Sequence, residues 1–360
     1  MKKTIALLLG LLLCLTALTA AGGTGGDPLI SLSYLTGEFA RSLESAADAR
    51  LDASDDAIRK AAGGQTPDIP AGPAGMQEHT LKEGDVLSGL TGLVVVPLGG
   101  GLRLDVTAGA VVDVTAGEEV LPGHLLTANH RYIVAENAQA DFTVTTPAAV
   151  LSCEGGGELT LSLSPDYYSA ARALREAGLF RGSGSGVGEG FDLYLAPTRG
   201  ESLVMFLRLL GEEVDALASA GTHPFTDVPG WLSPYVAWAW QRGYTSGVAA
   251  DRFGSDQPVT AVEYEEFLLR ALGYSTAGVD DYTTSLERAL GFGALTQGEY
   301  DMLRSCVFLR AHAAYVSYYS LGMPLNGETE TLAQHLIAAG RMTEAQLASA
   351  RAQINSSRIS

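Results

Sequence analysis

From about residue 165 the apolar positions recur at spacings of three and four. Leu203, Phe206, Leu207 and Leu210 fall at i, i+3, i+4 and i+7, the stripe by which a helix faces a core. Thr198 and Thr260 stand just before two such stretches, with Glu201 and Glu263 three residues on. Thr-x-x-Glu is a capping box, in which hydroxyl and carboxylate satisfy the first orphan amides of a helix, so both motifs predict helix starts. Glycine-rich loops separate these helices from preceding ones predicted over 168–177 and 234–241. Leu332, Leu336, Ile337, Met342 and Leu347 predict a closing helical hairpin within 326–360. Over 78–163 the pattern is different. Leu93–Val96, 102–106, 111–114, 132–134, 142–144 and 159–161 are short β-favouring runs divided by Gly, Asn or Pro, which predicts a small all-β domain: a sandwich, a barrel or a short β-roll. Residues 63–77 have a linker's glycines and prolines. Before them, Leu32, Leu35, Phe39, Leu43 and Ala46 predict an amphipathic helix over 28–62, docked on the next domain or self-associating as a coiled coil. The fold class expected is therefore multi-domain α+β, with an N-terminal helix, a β domain and a C-terminal helical module.

The first 22 residues stand outside this scheme. Lys2 and Lys3 precede an uncharged apolar run from Ile5 to Leu18, and small residues follow at Thr19-Ala20-Ala21-Gly22, which predicts a cleaved signal peptide and a secreted product. Cys14 follows the bulky Leu13, which argues against lipidation. The sequence closes on Asn355-Ser356-Ser357-Arg358-Ile359-Ser360 without an apolar tail or a sorting motif, so retention at a cell is expected to come from binding. Composition changes the picture in one respect. The formal charge of −18 becomes −20 once Lys2 and Lys3 are removed, which disfavours nucleic acid and anionic membranes as partners. An anionic ligand would need local donors. Cys153 and Cys306 fall in different predicted domains and are expected as free thiols.

A longer pattern recurs across the helical part. The clearest copy runs Phe225-Thr226-Asp227-Val228-Pro229-Gly230-Trp231, then Tyr235 to Gly247, then Thr260-Ala261-Val262-Glu263, ending Leu269-Arg270-Ala271-Leu272-Gly273. An earlier copy has Ala177-Gly178-Leu179-Phe180-Arg181-Gly182, Thr198-Arg199-Gly200-Glu201 and Leu207-Arg208-Leu209-Leu210-Gly211. A later, degenerate copy has Leu290-Gly291-Phe292, Leu309-Arg310-Ala311-His312 and Ser320-Leu321-Gly322. From the first glycine to the Arg/Ala/Arg position the gaps are 21, 18 and 19 residues. Units of this size cannot bury their apolar faces alone and must share a core.

The pattern resembles the S-layer homology (SLH) family of bacterial cell-surface anchors over residues 165–325, as three repeats at about 165–213, 224–275 and 279–325. The resemblance implies a pseudo-threefold helical module that holds pyruvylated secondary cell-wall polysaccharide in grooves between repeats, without a cofactor. It also implies the candidate glycan-binding residues: Arg199 and Arg310, whose guanidinium forks suit a carboxylate; Trp231, for a sugar's C–H face; and Gly182 and Gly247, where backbone nears sugar. Each has a plain structural alternative: a surface ion pair for the arginines, packing for Trp231, and a left-handed turn for the glycines. In the middle copy Ala261 replaces the arginine and in the last His312 replaces the glutamate, so those sites are expected to be weakened.

Other chemistry is thin. Gly182-Ser183-Gly184-Ser185-Gly186 lacks the lysine of a P-loop, and the six histidines are scattered without metal-ligand spacing. No nucleophile–base set stands in a motif context. The expectation is a secreted, non-enzymatic cell-surface protein bound to anionic wall polysaccharide. The rivals are a structural assembly protein with degenerate repeats, assembling through the β domain or the N-terminal helix, and, more remotely, a wall-glycan hydrolase.

Overall fold

The computed structural model describes residues 75–360 except Ala277. The expected signal peptide, the 28–62 helix and nearly all of the 63–77 linker lie outside the described residues. The described part is mixed α+β, with two antiparallel sheets followed by ten α-helices.

Ten strands make the sheets: β1 (Gln77–Lys82), β2 (Val86–Leu90), β3 (Val94–Gly99), β4 (Leu102–Ala108), β5 (Val111–Asp113), β6 (Glu118–Val120), β7 (Tyr132–Val134), β8 (Gln139–Val144), β9 (Ala148–Glu154) and β10 (Gly157–Thr160). One sheet runs β1-β9-β3-β7-β5-β6 and the other β10-β2-β8-β4. Alternating inward residues such as Leu102, Leu104 and Phe142 meet Leu81, Val95 and Leu151 in one buried cluster, the arrangement of a β-sandwich. Strand β9 escapes a period-two reading because Ala148, Ala149, Val150 and Leu151 are all buried. Its second face is covered by helices.

The helices are α1 (Tyr167–Glu176), α2 (Arg199–Leu209), α3 (Glu213–Ala218), α4 (Ser233–Gln241), α5 (Ala261–Ala271), α6 (Ser285–Phe292), α7 (Gln297–Leu303), α8 (Arg310–Ser320), α9 (Leu332–Ala338) and α10 (Glu344–Gln353). Thr198 and Thr260 cap α2 and α5 as their Thr-x-x-Glu motifs predict, and Thr296 and Glu299 do the same for α7. Their apolar faces converge on one large cluster centred on Phe206, Phe253, Phe267 and Tyr264.

Residues Pro70–Ser360 form one compact unit, so the β and helical parts are packed together within it. Ala148 and Val150 of β9 belong to the helical core. The Tyr168 hydroxyl donates to the Ala149 carbonyl at 3.3 Å, the Gly188 amide to Glu78 at 3.0 Å and the Lys82 ammonium to the Ser162 carbonyl at 2.6 Å. Gly99 lies flat under the Tyr194 ring, where a Cβ would come within 2.2 Å of ring carbon. Gly99→Ala should therefore cost about 1–3 kcal/mol by overpacking this junction, seen as a lower urea midpoint with unchanged slope.

Candidate functional site

The starts of α2 and α8 dock on loops of another part of the chain. Arg199 and Gly200 donate their amides to the Gln257 and Ser255 carbonyls at 2.8 and 3.0 Å. Arg310 and Ala311 do the same to Leu195 and Leu193 at 2.9 and 3.0 Å. Counted from Phe253 and Phe191 these acceptors are at identical offsets, so the first and third copies present their arginines by one geometry.

Arg199 opens α2 and reaches into a cleft of about 100 Å³ formed with Ser246-Gly247-Val248 and the face of α5. Its guanidinium lies 5.2 Å from the ring centres of both Phe253 and Phe267, and only 7 % of the residue is exposed. Nη1 donates to Glu263 Oε1 at 2.8 Å, while Glu263 Oε2 accepts from the Thr260 amide at 2.9 Å. One carboxylate thus caps α5 and holds the arginine. The Arg199 Nε is buried without a partner among the described residues. Burial pulls the Arg199 pKa below its ordinary value, although Glu263 opposes the shift. The floor is a second charged layer, in which buried Glu266 accepts from Arg270 Nε at 2.7 Å, Arg288 Nη2 at 2.8 Å and the Ser275 hydroxyl at 2.6 Å. Arg199, Arg270 and Arg288 thus meet Glu263, Glu266 and, 3.7 Å from Arg288, Asp280, so cationic and anionic groups are equal in number. An entering carboxylate has to share Arg199 with Glu263.

Gly247 belongs to this cleft and Gly182 holds the aligned place in the first copy. Gly247 has φ +74°, and a Cβ there would sit 2.3 Å from the Phe225 ring and 2.6 Å from the Arg252 carbonyl oxygen. Gly182 is outside the left-handed region, and its constraint is the Gly190 carbonyl oxygen, 2.0 Å from where a Cβ would be. The left-handed alternative therefore applies to Gly247 alone. Asp227 holds the loop above the cleft by accepting from the Phe253 and Gly254 amides at 2.7 Å each, which gives the Thr-Asp-Val-Pro segment a structural task.

Arg310 is equally buried but differently satisfied. Its Nε donates to the Phe191 carbonyl at 3.0 Å, and the guanidinium lies 6.0 Å from the Phe180 ring centre. Among the described residues no carboxylate lies within ion-pair distance of it. Burial lowers its pKa too. His312 takes the place of the capping glutamate: its Nδ1 accepts from the Leu309 amide at 3.0 Å. Burial pulls its pKa down to about 4, which keeps the ring neutral and able to accept.

Trp231 is 60 % exposed before α4 and does not line the cleft. Trp238 donates to Glu212 at 2.7 Å, and Trp240 packs edge-on against Phe225 while remaining partly exposed. The structure thus brings Arg199 and Gly247 together, places Arg310 and Gly182 around Phe191, and leaves Trp231 apart. Sequence reasoning missed Glu266, Arg270, Arg288 and Tyr282. The recurrence of Arg208 and Arg270 near the ends of the first two copies was the available signal. Among the described residues Cys153 and Cys306 are free, and no group of metal-ligating side chains occurs there. No helix among those residues is long and apolar enough to cross a membrane. A scan against protein-family models finds no match for this chain, and a search of the curated proteins finds none either.

Proposed function

We propose that this chain is a cell-surface anchoring protein whose helical part is an SLH-type repeat module, and that the Arg199 cleft holds an acidic glycan such as a pyruvylated cell-wall polysaccharide. One observation carries the reading. Arg199 from the first copy and Gly247 from the second line a single cleft, and among the described residues the buried Arg199 Nε has no partner. A cleft of about 100 Å³ suits a carboxylate and its adjoining carbons, while the rest of a polymer lies along the surface. Buried cationic donors next to apolar rings favour a carboxylated sugar over a neutral one. Arg310, buried at the matching helix start, is proposed as the second contact, and two weak contacts on one polymer bind about 10²- to 10⁴-fold better than one.

The test is co-sedimentation of the full chain with cell-wall sacculi, with and without chemical removal of pyruvate. Arg199→Ala is expected to weaken binding about tenfold or more, the loss of one charge-assisted pair of about 1.5–3 kcal/mol. Arg252→Ala, at an exposed arginine 4.0 Å from Asp227, is the control and should change little. Equal effects of the two substitutions, or binding that survives depyruvylation, would remove this assignment.

A further inference from the structure

The second and third copies form a counterpart of the Arg199 cleft, a third groove counting the surroundings of Arg310, and the chain itself fills it. The helix-end glycine of the third copy is Gly293, with positive φ, and not Gly291, which lies inside α6; aligning Gly243 with Gly293 matches the cleft loop Ser246-Gly247-Val248 to Thr296-Gln297-Gly298. Aligning the helix starts matches Glu266 and Arg270 on α5 to Tyr315 and Tyr319 on α8. Residues 355–360 lie in the space these define. The Arg358 guanidinium sits 4.8 Å from the Tyr319 ring centre, and the Ile359 amide donates to the Tyr315 hydroxyl at 2.8 Å. Thr296 donates its hydroxyl to the Ile359 carbonyl. Gly298 leaves room for the backbone at Ser360, whose carbonyl oxygen would be 2.2 Å from a Cβ there.

The chemistry of the slot is selective. Arg358 binds Glu299 as a two-pronged fork, Nε to Oε1 and Nη2 to Oε2 at 2.7 Å each, and donates again to the Ala294 carbonyl at 2.6 Å. Glu299 is 1 % exposed and also accepts from the Thr296 amide at 2.9 Å. It therefore repeats the double task of Glu263, a helix-capping carboxylate that receives an arginine from a remote segment. Upstream, Asn355 donates to Asp166 at 2.7 Å and fixes where the segment enters.

We infer that the third groove is a binding slot for an extended peptide carrying an arginine, occupied in cis by residues 355–360. A buried carboxylate, a tyrosine ring and two hydrogen bonds to the backbone of Ile359 recognise a guanidinium on a non-helical segment. An acidic sugar has no place beside Glu299. The slot does not depend on the glycan reading, because Arg199 takes no part in it.

The experiment uses the full chain with Arg358→Ala. Hydrogen exchange at the Ile359 amide should accelerate at least tenfold, with α8 amides unchanged. A fluorescent peptide spanning 355–360 should bind this variant at least tenfold more tightly than the parent chain, whose slot is filled. The same peptide with alanine for arginine should bind neither chain. Adding Tyr319→Ala to Arg358→Ala should abolish capture of the arginine peptide, and adding Arg199→Ala should not. Unchanged exchange at Ile359, exchange accelerated across all helices, or equal capture of both peptides would overturn the slot.

Discussion

Glu265→Gln should leave stability nearly unchanged at pH 4 and raise it by on the order of 3–5 kcal/mol at pH 9. Glu265 is 3 % exposed on α5, and its Oε2 has no partner among the described residues. Burial, aided by the nearby Glu299 carboxylate, pushes its pKa up to about 8 from an ordinary 4.5, and Arg358 offsets only part of this. A proton is therefore held in the fold that the unfolded chain releases near pH 4.5. Between these two values the unfolded state binds fewer protons, so stability falls as pH rises, by about 1.4 kcal/mol per unit. It is fully present below pH 4.5 and lost by the time the pH passes 8. Glutamine abolishes this dependence at that site. The aligned positions of the other copies, Leu203 and Ala314, are buried and apolar, so an uncharged side chain suits the place. Urea unfolding of both chains at pH 4, 6, 8 and 9 would check it. Parallel stability curves would show that Glu265 is ionised or solvated in the fold.

Gly247→Ala should destabilise by about 2–4 kcal/mol and weaken sacculus binding together. Two independent costs add. An L-residue at φ +74° loses about 1 kcal/mol relative to glycine, and the new methyl meets the Phe225 ring and the Arg252 carbonyl with little room to yield. Phe225 packs with Phe253, whose ring borders the Arg199 guanidinium, so relaxation on one side distorts the cleft on the other. Gly243→Ala is the instructive comparison. It has φ +71° but open space around its Cβ, so only the conformational cost should appear. Thermal unfolding of both variants separates the two terms. Equal losses would show that the Phe225 contact yields freely.

What was legible before folding was local. Thr198 and Glu201, or Thr260 and Glu263, lie three residues apart and satisfy amides within one turn, so their motif marks a helix start wherever that helix goes. The stripe at Leu203, Phe206, Leu207 and Leu210 and the short strands at 102–106 and 132–134 were readable for the same reason. Helix α7 opens on the same motif, Thr296 and Glu299, and was overlooked because its seven residues carry little periodicity. Strand β9 was not readable: it is buried on both faces, so its pattern depends on a partner layer.

The sequence by itself determined the α+β class, the repeated helix starts and the positions of the arginines that open two of them. Tertiary structure alone decided what those arginines meet. Arg199 finds Glu263 64 residues away, Arg310 finds a backbone carbonyl 119 residues away, and Arg358 finds Glu299 59 residues away. Helix caps and apolar periodicity act across a few bonds and leave a trace in neighbouring letters. Charge pairing and burial act across space, and an aperiodic stretch such as 355–360 shows where it belongs only once the groove that receives it has closed.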